Sequence, residues 1–555
     1  SIERHPLTRD DMATAHRVSP VPELAEALQR AWPPLTHNLH RLSFDAGRMQ
    51  LLLALGDVQA WLPEIVASVD AFDLDGFAPA SNARMWDARV AKALGRLAAP
   101  GATLATWSAA SALRAQLTSA GFETRLGAGT GGKRDITLAR YAPPFAPRRS
   151  SARVPVRPTV ERHALIVGGG LAGCAVAGAL AEHGWRSTLF ERQAQIASEA
   201  SGNPAGLFHG IVAAPDSVHA RLHRSAAFAA RDAVQIAVAQ HGAAGATQGL
   251  LRLETTLDGP RMRSMLAALG LPPDYVQALD AAEASACAGI ELRHPAWFYP
   301  GGGWVHPAAL ARASLERAQG LVTLREQVAV DALQRVDGGW HLCDAQGDTI
   351  AEAPTLILAN AGDALRLLGV RDWPIEPVRG QISLADGSRL ALPRVPVAGA
   401  GYLLPALGAQ ALFGATAQRG DADASVRRAD HVLNLAQLER LIGRPAPLTP
   451  DELTGRTAWR WSSGDRLPLI GAVPDPDARG ARLDQPRFVP RLPGLFLFSA
   501  LGSRGIAWSA LGAPVLAALV AGAPVPLEAS LLDAIDPARF ASRRARQAAG
   551  RSAGG

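Results

Sequence analysis

Ala164-Leu-Ile-Val-Gly-Gly-Gly-Leu-Ala-Gly173, closed downstream by Phe190-Glu191, is the stretch whose reading decides the fold. It reads as a short buried strand, a glycine turn, a helix, and a second strand ending in an acid. Gly168 permits the sharp turn. Gly170 removes a side chain where backbone N–H groups must approach a pyrophosphate, and Gly173 lets the helix pack close to the strand. Phosphates would then sit at the positive end of that helix. Glu191 stands about 20 residues past the turn, where an acid accepts hydrogen bonds from an adenosine ribose. Ala177, one helical turn past the last glycine, suits the same packing. A glycine-rich turn in an ordinary α/β core is the competing reading of the same residues.

Outward from that stretch, bulk properties set bounds. The chain has 555 residues, 48% hydrophobic and 19% charged. That composition describes a globular protein of roughly two to four domains. The reading expects no apolar run of the ~20 residues a membrane span needs, and no leader peptide. Cys174, Cys287 and Cys343 are far apart, which argues against a disulfide framework or a cysteine-rich zinc site. The expected compartment is cytoplasmic, with no membrane partner and no metal. Net charge is +6 and the pI about 9.7. The excess is largely arginine, which suits bidentate phosphate contacts, so a nucleic-acid partner is allowed; a solvated basic surface explains the charge almost as well.

Three regions separate along the chain. Residues 1–141 alternate helical and strand patterns: Val69-Asp-Ala-Phe-Asp-Leu-Asp75 reads as a strand, Asp87 to Leu97 as a helix, and Thr103-Leu-Ala-Thr106 as the next strand. This is the rhythm of a parallel α/β sheet. Residues 142–160 are a Pro/Arg-rich linker held extended by proline. From residue 161 a second α/β unit runs to 555. Thr355-Leu-Ile-Leu-Ala-Asn-Ala-Gly362 and Gly494-Leu-Phe-Leu-Phe-Ser-Ala-Leu-Gly-Ser-Arg-Gly505 are further buried strands ending in glycine turns. A nucleotide domain interrupted by a substrate domain is expected. The tail, with Arg543, Arg544, Arg546 and Arg551, reads as a frayed basic helix.

The second unit resembles the FAD-dependent amine oxidoreductases related to D-amino-acid, glycine and sarcosine oxidases. Ala200-Ser-Gly-Asn-Pro-Ala-Gly206 is similar to that family's loop under the flavin, which implies Ser201 and Asn203 at the cofactor. Leu358-Ala-Asn-Ala-Gly362 resembles the second nucleotide segment, which implies Gly362. Ala500-Leu-Gly-Ser-Arg-Gly505 resembles the segment whose helix N-terminus faces the isoalloxazine carbonyls, which implies Gly502, Ser503, Arg504 and Gly505. Pro377-Val-Arg-Gly-Gln381 is similar too and implies Arg379 on the substrate side. Trp459-Arg460-Trp461, followed by Asp465-Arg-Leu-Pro-Leu-Ile-Gly471, resembles the segment whose arginine grips a substrate carboxylate through a bidentate fork. Arg460 holds the matching position; a structural salt bridge is the alternative. Its tryptophan neighbours depart from the Leu-Arg-Pro common in that family and could stack on a base.

The first unit resembles the methyltransferase half of the bifunctional enzymes that build 5-methylaminomethyl-2-thiouridine in tRNA. Glu3-Arg-His-Pro-Leu-Thr-Arg-Asp, Asp75-Gly-Phe-Ala-Pro-Ala-Ser-Asn-Ala-Arg-Met-Trp86 and Gly131-Gly-Lys-Arg-Asp135 carry the likeness. Gly302-Gly303-Trp304 and Pro307 fit the same family's oxidase half. The resemblance spans essentially the whole chain. It implies two reactions on the wobble uridine. The first is FAD-dependent oxidation of an N-substituted glycine side chain, with hydrolysis releasing glyoxylate. The second is methylation of the remaining amine by S-adenosylmethionine. Asp75 would orient the amine and take its proton, Glu3 would bind the cofactor ribose, and Asp57 the adenine amino group. Lys133, Arg134, the linker arginines and the tail are candidate tRNA contacts, each also explained as a solvated charge. A methyltransferase of this kind needs a first strand and glycine loop before the strand ending in Glu3, and a full unit would need roughly 50–70 more residues upstream of Ser1; either the sequence continues there or the cofactor cradle has been lost. An oxidoreductase with a vestigial methyltransferase domain, a free glycine or sarcosine oxidase, and a non-enzymatic tRNA-binding module remain competing readings.

Overall fold

The run His-Ala-Leu-Ile-Val forms the strand His163–Val167, and it is apolar on both sides because both of its faces are covered. Ala164 and Ile166 face a layer of helices, while Leu165 and Val167 face a second core on the other side. The computed structural model describes residues 1–76, 82–129, 131–132, 134–145, 161–318, 320–479 and 482–552. Lys133, residues 146–160 of the expected linker and residues 77–81 of the Asp75–Trp86 stretch lie outside that set.

The sheet around His163–Val167 has six strands. In spatial order they are Val322–Arg325, Arg186–Phe190, His163–Val167, Thr355–Leu358, Arg491–Ser499 and Leu469–Pro474. The first five run parallel and the last antiparallel. Helices Leu171–Ala181, Val218–His241, Pro307–Glu316 and Gly505–Ala521 pack on one face. The meander Ala332–Val336, Gly339–Cys343, Thr349–Ala353 supplies Trp340 and Leu342 to the other. The glycines of the first turn meet the expected demands. Gly168 has φ of +106°, and a Cβ on Gly173 would lie 1.8 Å from the Gly168 carbonyl oxygen.

One expectation is corrected here. The segment Gly502–Ala521 is apolar and long enough to cross a membrane by length and composition, although the sequence reading found no such run. It is 67% buried within the protein. A helix apolar all round is what a core position between Leu171–Ala181 and Val218–His241 requires.

A nine-stranded sheet forms the second layer of this unit. Its longest strand, Ile375–Asp386, pairs antiparallel with Thr454–Ser463 along ten residues each from Ile375↔Ser463 to Leu384↔Thr454. That register sets Trp459, Arg460 and Trp461 opposite Arg379, Val378 and Pro377.

Residues 1–141 form two sheets rather than one parallel sheet. Ile2–Glu3, Met49–Leu55 and Leu39–Phe44 make the first; Val69–Leu74, Ala98–Thr106, Asp135–Tyr141 and Phe122–Ala128 make the second. Each holds a single parallel pair, and the other pairings are antiparallel. The connections decide this. The turn around Asp45–Gly47 is too short for a crossover, and only an antiparallel return closes it. Ala88–Leu97 is the expected helix, with Asp87 accepting from the Arg89 and Val90 amides as N-cap. Across the two parts of the chain, Arg41 pairs with Glu182 at 2.6 Å and the Ser530 amide donates to Glu64 at 2.8 Å.

Candidate active site

The carboxyl ends of the parallel strands and the edge of the nine-stranded sheet enclose a cavity of about 1250 Å³. Ligands of open α/β sheets bind at this kind of crevice. Gly168, Gly170, Glu191, Ser201, Asn203, Arg460, Gly502, Ser503, Arg504 and Gly505 all line it. Gly173 and Gly362 stand behind the wall. A Cβ on Gly362 would come within 2.2 Å of the Trp461 ring, so the glycine lets the indole lie on the backbone.

The first-turn end of the cavity is a cradle for a dinucleotide. Ser201 Oγ accepts from the Leu171 amide at 3.1 Å and so caps the helix whose first turn faces the cavity. Glu191 is 9% exposed; its Oε2 accepts from the Gly169 amide and its Oε1 from the Gln193 amide, both at 2.8 Å. Asn203 Oδ1 accepts from Arg456 at 2.8 Å, and Arg456 also donates to the Ser198 and Glu199 carbonyls, both at 2.6 Å. Asn360 donates to Asp363 at 3.1 Å, while its Oδ1 is buried without a hydrogen-bond partner. A buried acceptor left open beside a glycine cradle fits a bound flavin dinucleotide.

Arg460 lies at the other end. Its guanidinium is half-buried and donates to the Thr416 carbonyl at 3.0 Å; no carboxylate among the described residues pairs with it. Burial pushes its pKa down. Gly380 makes the room, since a Cβ there would sit 2.7 Å from Arg460 Nη2. Tyr402 shares the cavity, and burial raises its phenol to about 12 although Arg460 opposes the rise. A half-buried cation without a counter-ion favours an anion placed against it.

Arg379 corrects an expectation. It is 0% exposed and its guanidinium is fully engaged: with Asp430 at 2.6 Å, Gln418 at 2.7 Å, and the Asp423 and Ser425 carbonyls at 2.6 and 2.7 Å. It braces the strand behind Arg460 and does not line the cavity. Sequence reading also missed His209, Asn360, Tyr402 and Arg456, all of which line it. Arg456 could have been found, because Arg456, Ala458 and Arg460 alternate on one face of their strand.

Arg504 donates to the His209 carbonyl at 3.0 Å. Burial, then the nearby Arg252, lowers its pKa to about 10. The turn Gly502–Arg504 leads directly into helix Gly505–Ala521, whose N-terminal amides face the cavity.

In the first unit, Glu3 and Asp57 stand at the carboxyl ends of adjacent parallel strands, where the Gly56 amide donates to the Glu3 carbonyl at 2.8 Å. Glu3 Oε1 accepts from the His5 amide at 2.6 Å. Asp57 caps a helical turn by accepting from the Gln59 amide at 2.9 Å, and Arg4 and Arg84 each approach it at 3.7 Å. Two acids on one strand-end edge fit an adenosine. Asp75 follows Val69–Leu74, the parallel strand that opens the second sheet.

The tail is not frayed. Arg539–Ser552 is a docked helix: Arg543 pairs with Asp465 at 2.5 Å, Arg544 with Asp372, and Arg546 donates to the Asp484 carbonyl. Arg543, Arg544 and Arg546 thus have partners within the protein. Arg134 is exposed and 3.8 Å from Asp135. Among the described residues, no cluster of three His, Cys, Asp or Glu is arranged to hold a metal.

Residues 163–519 match the FAD dependent oxidoreductase family, and residues 19–142 match an S-adenosyl-L-methionine-dependent methyltransferase family. The chain is similar to the tRNA 5-methylaminomethyl-2-thiouridine biosynthesis bifunctional protein MnmC of Methylibium petroleiphilum, 50% identical over 98% of this chain and 85% of that protein. The protein of the same name from Burkholderia multivorans is 42% identical over 99% of this chain and 86% of its own length. Among solved structures, glycine oxidase from Geobacillus kaustophilus aligns with a TM-score of 0.54 at 23% identity, covering 67% of this chain and 97% of the oxidase. That likeness is one of fold.

Proposed function

The chain belongs to the family of tRNA 5-methylaminomethyl-2-thiouridine biosynthesis bifunctional proteins, and from that premise we propose that it carries out both late steps on the wobble uridine. In the first, 5-carboxymethylaminomethyl-2-thiouridine is oxidised and hydrolysed to 5-aminomethyl-2-thiouridine and glyoxylate. In the second, S-adenosylmethionine donates a methyl group to the new amine. Residues 1–141 would be the methyltransferase, 142–160 the linker and 161–555 the oxidoreductase. Acting on tRNA, it would work in the cytoplasm.

The observation that carries the first step is Arg460, a half-buried cation without a carboxylate partner among the described residues, in the cavity that also holds the dinucleotide cradle. The substrate side chain ends in a glycyl carboxylate, which Arg460 grips; that contact fixes the methylene inside the cavity, and orientation of this kind lowers barriers by several kcal/mol. Gly168, Gly170, Glu191, Ser201, Asn203 and the turn Gly502–Arg504 would hold FAD, with Gly173 and Gly362 packed behind them. FAD supplies the two-electron acceptor. In the second step Asp75 orients the neutral amine and takes its proton, while Glu3 and Asp57 receive the adenosine of the methyl donor. Lys133 and Arg134 would contact the tRNA backbone.

Anaerobic mixing of the flavin-loaded protein with tRNA carrying the carboxymethylaminomethyl group tests the first step. Bleaching of the yellow flavin is expected. A flavin that stays oxidised removes the oxidase reading, and equal bleaching by free glycine without tRNA replaces it with an amino-acid oxidase. For the second step, mass spectrometry of wobble nucleosides from a deletion strain complemented with this chain should show the methylaminomethyl form; arrest at the aminomethyl form would leave only the oxidoreductase.

A further inference from the structure

Asn38 belongs to the methyltransferase-matching part of the chain, yet it is completely buried against the oxidoreductase helix Val218–His241. Its amide donates to Ser225 Oγ at 2.8 Å and to the Arg221 carbonyl at 3.3 Å, and its Oδ1 accepts from Arg224 Nε at 2.5 Å. Arg224 is 1% exposed. Its two remaining nitrogens fork onto Asp216 at 3.1 and 2.7 Å, and its guanidinium carbon stands 5.7 Å from the centre of the Tyr275 ring. Tyr275 then reaches the 209–211 segment by two routes. Its hydroxyl donates to the Ile211 carbonyl at 3.2 Å, and its ring meets Tyr299 edge-on at 5.9 Å, with Tyr299 in turn 5.3 Å from His209. The packing leaves no slack, since a Cβ on Gly210 would lie 2.2 Å from the Tyr275 hydroxyl. His209 lines the cavity, and its carbonyl is the acceptor that holds Arg504.

We propose that Asn38 is a positioning residue of the oxidase site, acting through Arg224 and Tyr275 on the 209–211 segment that anchors Arg504. The inference rests on the oxidase reading given above. The physical reason is that Arg224 Nε is a buried charged donor with Asn38 as its acceptor. Without that acceptor a buried charged donor is left unsatisfied, and a shift of the guanidinium to find another changes its packing against the Tyr275 face. One part of the chain thereby holds a wall of the other part's cavity in place.

The test uses the full flavin-loaded chain and tRNA carrying the carboxymethylaminomethyl group, read by stopped-flow flavin reduction. The unaltered protein must bleach; if it does not, the oxidase reading fails and Asn38 is not at issue. Asn38→Leu is expected to lower the limiting rate of reduction about fivefold, to shift the flavin's visible band, and to move the apparent Kd for tRNA by less than about twofold. Asn38→Asp keeps the acceptor for Arg224 and is expected to restore the rate. Arg41→Ala breaks the Arg41–Glu182 pair, a contact between the same two parts that lies off this route, and is expected to behave like the unaltered protein. Should Asn38→Leu fail to fold, Asn38→Ser and Tyr275→Phe provide the same comparison, and their double variant should be no slower than the slower single one. A normal rate in the Asn38 variants, an equal loss in Arg41→Ala, or additive losses in the double variant would overturn the proposal.

Discussion

Arg379 and Arg460 stand on neighbouring strands of one sheet, and their surroundings give them opposite work. Arg379 is saturated by Asp430 and three further acceptors, whereas Arg460 keeps a single carbonyl partner and an open fork. Replacing Arg460 by alanine should cost about 2–3 kcal/mol of substrate interaction, a loss of roughly 30- to 150-fold in kcat/KM for modified tRNA. Flavin content should not change, and lysine should recover part of the loss; steady-state assays beside the absorbance at the flavin band check both points. Asp430→Ala acts elsewhere. It leaves Arg379 charged and buried without its partner, which should destabilise the protein by about 3–5 kcal/mol in urea unfolding. The types and spacing of these arginines were legible in the sequence. Which one was spoken for was not, because Asp430 lies 51 residues from Arg379 and only the fold brings it within reach.

The loop after the Arg460 strand and the C-terminal helix form one element pair. Asp465 receives Arg539 at 2.9 and 3.0 Å, Arg543 at 2.5 Å and the Ser463 hydroxyl at 2.8 Å. Burial alone would raise the Asp465 carboxyl, but Arg539, Ser463 and Arg543 outweigh it and hold it well below the usual range. A depressed carboxylate contributes stability above its unfolded value of about 3.9, and that contribution is lost as pH falls through the folded value. Docking of Arg539–Ser552 should therefore be constant from neutral pH down to about 4 and weaken below it. Hydrogen exchange along the helix checks this, and Asp465→Asn should show the loosened pattern already at pH 7. The basic periodicity of the tail announced a helix, but its frayed character was a misreading. The acids that dock it, Asp372 and Asp465, are far away in sequence.

At the scale of the whole molecule, the seam between the two parts is buried and polar. His40 sits in it, 5% exposed, with Nε2 at 3.0 Å from the Thr36 carbonyl and its ring 5.5 Å from Phe228. Burial lowers its pKa to about 4, with the Arg224 and Arg231 charges adding to the effect and the Thr36 bond opposing it. The folded state therefore holds the ring neutral, and the unfolded state binds the extra proton below about 6.5. Stability should be full above that pH and fall as pH drops toward 4, by about 3 kcal/mol at most. Urea midpoints at pH 7.5 and 5 measure the fall, and His40→Gln should flatten it.

Local rules were enough for the nucleotide half. Gly168, Gly170, Gly173 and Glu191 obey sterics and hydrogen bonding within about 30 residues, so their order along the chain implied the strand, turn, helix and acid that the structure contains. The strand and turn ending at Gly502 were readable for the same reason, whereas Arg460 was singled out by resemblance alone. What only the tertiary structure decided concerns charge and burial: that Arg460 is left without a counter-ion, that Arg379 and the tail arginines are consumed internally, that an apolar helix of membrane-spanning length is a core helix, and that Asn38 of one part braces Arg224 of the other. Each depends on partners tens to hundreds of residues away, and desolvation, which sets the worth of every one of these contacts, exists only once the chain has closed around them.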